Sequence, residues 1–100
     1  MSKKLNFNEV KEINLKILEQ YVPIVARVHG ESHPEFHEVH KVFDKINIKI
    51  KEVAMDKPDL EEEFEQLRKI TNNYAVPSDV CESYETVYRL LSELDKTYHA

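Results

Sequence analysis

Phe36, Val39, Phe43, Ile46, Ile50 and Val53 follow one another at alternating steps of three and four. That spacing lays every one of them along one side of an α-helix. The isoleucines between Asn47 and Lys51 favour a strand locally. The sustained helical period outweighs that preference, because a strand would need alternation by two. An apolar seam of this kind has to meet other seams to leave water, and the chain supplies three more.

The first runs from about Asn8 to Val28. Asn6 followed by Glu9 has the spacing of a capping box, with Asn8 as a rival cap. Val10, Ile13, Ile17, Tyr21, Ile24 and Val28 form the expected stripe, widened by Leu18 and Val25. Pro23 lacks a donor and crowds the carbonyl of Glu19, so a kink or two shorter helices in line are expected. Gly30 is expected to stop the helix in a left-handed conformation. Ser32 with Glu35 then reads as the capping box of the seam helix, with Pro34 in its first turn.

The third segment follows Asp56, a good N-cap, with Asp59, Glu61 and Glu62 suiting the positive end of the helix dipole. Leu60, Phe64 and Leu67 form its stripe, extended by Ile70 and Tyr74, and Glu61, Glu62, Glu65, Gln66 and Lys69 face solvent. Asn72-Asn73 ends it. Ser78 is the expected cap of the fourth segment, whose seam is Val80, Tyr84, Val87, Leu91, Leu94 and Tyr98. Four helices with short links give an all-α, up-and-down antiparallel four-helix bundle.

One hundred residues make one domain, 1–100. One glycine in that length suits helices better than turns. A formal charge of -5 argues against nucleic acid, which needs a basic face, and against an anionic membrane. No stretch has the form of a signal peptide or a membrane span. A single cysteine, Cys81, cannot pair within the chain, so a cytoplasmic setting is expected.

Four of the five histidines, His29, His33, His37 and His40, gather where the first helix gives way to the second. His33, His37 and His40 project from one side of a helix. Imidazoles four apart can share a divalent ion, so these four are the candidate metal ligands, with iron, nickel or zinc suited to them. The plainer reading is that His40 packs at the rim of the seam and the others are solvated. Clustered imidazoles also make a pH-sensitive patch. Cys81 follows a helix start, where a thiol can become reactive, but beside the seam it reads as a small buried hydrophobe. The tyrosines read as core residues with hydroxyls at the rim. No phosphate loop, nucleophile elbow or cysteine pair is present, so nothing points to an enzyme.

The run Leu67-Arg68-Lys69-Ile70-Thr71-Asn72-Asn73-Tyr74, then Pro77, Cys81, Tyr84, Tyr88, Leu91, Leu94 and His99, resembles the hemerythrin-like domain of the repair-of-iron-centres family. So do Tyr21-Val22-Pro23, Val28-His29-Gly30 and His33-Pro34-Glu35. The resemblance spans about half the chain. It implies a hemerythrin-like bundle and, in the family, two irons held by histidines and glutamates in the repair of iron–sulfur clusters under stress. Several expected ligands are missing. No histidine lies between Lys41 and Val53, Lys57 falls near a family histidine, and the final His-x-x-x-Glu would fall beyond Ala100. The family's cysteine-containing N-terminal domain has no counterpart either.

Two functions follow as expectations. In the first, a small bundle holds iron or another divalent metal weakly through His29, His33, His37 and His40. In the second, a metal-free helical interaction module docks a protein partner, or a second copy as a homodimer, on an exposed apolar strip.

Overall fold

A computed structural model describes residues 6–53 and 58–100. These form four helices: α1 (Phe7–His29), α2 (Glu35–Val53), α3 (Glu61–Thr71) and α4 (Glu82–Tyr98). Each runs antiparallel to its neighbours in an up-and-down bundle. Phe7 at the start of α1 meets Tyr98 at the end of α4, their ring centroids 5.5 Å apart. His29 at the other end of α1 meets Cys81 at the start of α4. Phe64 of α3 packs on Tyr98 at 5.3 Å, and Lys49 of α2 bonds Glu63 of α3 at 2.9 Å. The order around the axis is therefore the order along the chain, with α4 closing on α1.

The capping box at Asn6 forms as the spacing predicts. The Glu9 amide donates to Asn6 Oδ1 at 2.9 Å, and the Asn6 amide donates to Glu9 Oε1 at 3.3 Å. The helix then runs unbroken through Pro23, which lies exposed. Its solvent-side position leaves the carbonyl it cannot serve open to water. The stripe facing the core differs from the expected one. Phe7, Val10, Asn14, Leu18, Val22, Val25 and Ala26 are buried, whereas Ile13, Ile24 and Val28 are 55%, 47% and 65% exposed. Asn14 is accommodated because its amide donates to the Leu90 carbonyl at 3.2 Å.

Gly30 is not left-handed. Its φ of -60° and ψ of -29° are those of an ordinary helical residue. It is glycine for want of space, since a Cβ there would collide with the His37 ring and the Ala26 carbonyl. The α2 seam is buried at Phe36, Val39, Phe43, Ile46 and Ile50, joined by Val42, while Val53 is half-buried. The helix starts at Glu35, after Pro34, and its first amides donate to the His33 and Pro34 carbonyls. Among the described residues Ser32 makes no capping bond.

The expected cap Asp56 lies outside the described residues. α3 begins later, at Glu61, behind Leu60, and buries Phe64 and Leu67 with Leu60. Glu63, turned inward rather than to solvent, is matched by Lys49, whose ammonium is held above its usual range chiefly by that hydrogen bond. The helix stops on three left-handed residues, Asn72, Asn73 and Tyr74, at φ 52°, 61° and 62°. Asparagine adopts this conformation readily, whereas for a bulky tyrosine it is uncommon. Tyr74 is held there by its amide bond to Thr71 Oγ1 at 2.7 Å and its hydroxyl bond to Asp95 at 2.8 Å. Ser78 does not cap α4. The helix opens three residues further on, with Cys81 at the cap position. Its seam is buried as expected, Val80 only partly.

Candidate functional site

The sequence-predicted histidines sit at the end of the bundle where α1 hands over to α2 and α4 begins. The antiparallel pairing of α1 with α4 decides which residues meet there. His29 Nε2 lies 3.0 Å from Cys81 Sγ, hydrogen-bond distance, with the ring tautomer setting which atom donates. His33 is gripped from both sides. Its Nδ1 is 3.1 Å from Glu35 Oε2, and its Nε2 is 3.1 Å from Asp79 Oδ1. Tyr84 forms the floor, its ring edge-on to His29 at 5.4 Å and to His33 at 5.5 Å. Its hydroxyl meets that of Tyr88 at 3.0 Å, and burial pushes both phenols above their usual range.

The remaining two histidines go elsewhere. His37 is exposed and covers Gly30. His40 is half-buried, with Nε2 3.6 Å from Asp44 on the next turn. The expected i, i+4, i+7 arrangement on one helix does not form, because His33 lies ahead of α2 and only His37 and His40 are helical, and each of the three has its own neighbour. Both nitrogens of His33 are engaged, as is one of His29. Among the described residues no three histidine, cysteine or acidic side chains are placed to hold a metal ion. The described residues therefore do not fit the di-iron centre that the family resemblance implies.

Cys81 is exposed, which corrects its reading as a buried hydrophobe. At the cap position its thiol meets His29 instead of packing in the seam. Its partner His29 is distant along the chain. The signal that could have found the pair is topological, because in an up-and-down bundle the end of the first helix must lie beside the start of the fourth.

A second polar cluster ties α3 to α4. Asp95, buried, accepts from Arg68 Nη1 at 3.1 Å and from the Tyr74 hydroxyl at 2.8 Å, and its Oδ1 lies 2.9 Å from His99 Nδ1. His99 Nε2 reaches Glu61 Oε2 at 2.9 Å. These contacts raise the His99 pKa, the Glu61 hydrogen bond most. Burial, then Asp95, pushes the Tyr74 phenol up. The cluster borders an open cleft of about 530 Å³, but its polar atoms are largely spent on one another. His99, though exposed, thus fastens the end of α4 to the start of α3.

The third feature is apolar. Ile13, Ile24 and Val28, with the half-buried Ile17 and Tyr21 between them, line the outer flank of α1 beside its buried face. Ile48 and Val76 are also exposed, but on other elements. Isolated apolar side chains on a surface are ordinary, whereas an aligned series is not.

The fold and these sites define a class, an all-α four-helix bundle. No family model, curated protein or solved structure matches the chain.

Proposed function

We propose that this domain is a helical interaction module whose docking surface is the outer flank of α1. The occupant it suits is one amphipathic helix laid along α1, presenting apolar residues at helical spacing. A single observation carries the reading: α1 bears apolar residues beyond its buried face, and the core takes up Ile17 and Tyr21 only in part while leaving Ile13, Ile24 and Val28 in solvent. Ile13, Ile24 and Val28 are each about half exposed or more. Helix-in-helix docking takes anchors at this spacing.

The resemblance to iron-centre repair proteins supports a shared bundle design. It gives less support to metal binding through His29, His33, His37 and His40, because those side chains are divided among separate partners. An interaction role calls for no such convergence.

The test is whether the outer stripe holds the fold together. Chemical denaturation of an Ile13→Lys, Val28→Lys double variant is measured in dilute solution. Exposed positions should change unfolding free energy by no more than about 0.5 kcal/mol each. A loss beyond about 2 kcal/mol would make the stripe part of the core and remove the proposal.

A further inference from the structure

We infer that the cleft between the end of α3 and the last turns of α4 binds a small organic phosphate. This site is separate from the flank of α1. The cleft holds about 530 Å³, within the roughly 300–1,000 Å³ of small-molecule sites. Its donors come from both sides: Arg68 on α3, Asn73 on the corner that follows, and Ser92 and Lys96 on α4. Among the described residues the side chains of Asn73, Ser92 and Lys96 make no hydrogen bond or ion pair. Arg68 gives only Nη1 to Asp95, which leaves the rest of its guanidinium free. Asp95 is the one acid among the described lining residues, and it already accepts from Arg68 and Tyr74 and meets His99. The charge of Lys96 is therefore left over. The groove between α2 and α3 is of similar size, about 550 Å³, but two of its three lysines already face acids, Lys41 to Glu38 and Lys69 to Glu65.

The placement of the donors selects the anion. A carboxylate is planar and presents its two oxygens to one side. A phosphate is tetrahedral, and its oxygens reach donors on opposite walls at once. Arginine takes phosphate oxygens in pairs, and lysine meets them as a point charge. Tyr74 lines the same cleft and is held in the left-handed conformation by its bonds to Thr71 and Asp95. Backbone strain of this kind gathers at ligand sites. A second cleft of about 350 Å³ shares Asn73, Tyr74, Ser92 and Lys96 with the first. Glu85 and Glu93 line it, so the phosphate belongs in the first cleft and the organic group in the second, beside Tyr74 and Val76. Both clefts are open to water, so the affinity is modest.

Amide NMR shifts read the site directly. The protein is titrated at neutral pH and constant ionic strength with phenyl phosphate, and separately with benzoate. Phenyl phosphate should move the amides of Asn73, Tyr74, Ser92 and Lys96 with a dissociation constant below about 10 mM. Lys96→Gln removes the spare charge at an exposed position, so the fold should be unaffected. It should weaken binding at least about fivefold, while Lys45→Gln in the α2–α3 groove should leave binding unchanged. The absence of a saturable shift up to about 50 mM would overturn the proposal. So would an affinity that Lys96→Gln leaves unchanged, or one that both variants weaken equally. Benzoate binding as tightly as phenyl phosphate would overturn phosphate as the ligand class.

Discussion

His99 is held between Glu61 and Asp95, and its proton is part of the fastening. Its pKa is raised on folding above the ordinary value of about 6.5. The stabilisation is therefore complete below about pH 6.5 and fades as pH rises through the folded value. Thermal melts of the wild type and a His99→Gln variant should differ most at pH 5.5 and converge by pH 9. A gap that widens with pH would contradict this. Asp95→Ala strips Arg68, Tyr74 and His99 of their acceptor at once. Urea denaturation should show a loss of about 2–3 kcal/mol, less than for a fully buried pair because Arg68 is partly in water. Gly30→Ala should also destabilise, by about 1–3 kcal/mol. His37→Ala in the same chain should recover only part, since the Ala26 carbonyl cannot move aside. At this scale the sequence was legible where one residue acts on its own backbone neighbours, as in the Asn6–Glu9 box and the Asn72-Asn73 stop. It was opaque where a partner comes from afar. Nothing near Cys81 in the chain announces His29, and nothing near His99 announces Glu61.

Among the elements, α2 was read almost residue by residue, because only one of its faces is apolar. α1 was misread for the opposite reason. Val10, Leu18 and Val25 belong to one valid helical stripe, Ile13, Ile24 and Val28 to another, and periodicity cannot rank two apolar faces of one helix. The bundle chose the face carrying Leu18 and Val22, which are fully enclosed. Leu18→Ala should therefore cost about 2–5 kcal/mol in urea denaturation, while the conservative Ile24→Thr on the outer flank should cost well under 1 kcal/mol. Equal losses would mean that the two faces had been assigned wrongly. The start of α4 was missed by three residues because Ser78 is a good cap by type, yet the chain spends residues 78–81 reaching the corner where Cys81 meets His29.

As a whole the molecule has a radius of gyration of 13.2 Å, close to the value of about 13 Å for a single compact domain of this length. Four apolar seams joined by short links leave little choice but an up-and-down bundle, which is why the fold class could be read from spacing alone. The order of helices around the axis could not, since spacing along a helix says nothing about which helix lies beside it. The functional candidates divide in the same way. Histidines close in sequence suggested one centre, and the fold distributes them among Cys81, Asp79, Gly30 and Asp44. Thiol labelling of single cysteines in a Cys81→Ser background tests most directly whether the outer face of α1 lies outside the core. Ile13→Cys, Ile24→Cys and Val28→Cys should react nearly as fast in the folded protein as in urea, whereas Leu18→Cys should be strongly protected. Equal protection at all four positions would contradict it.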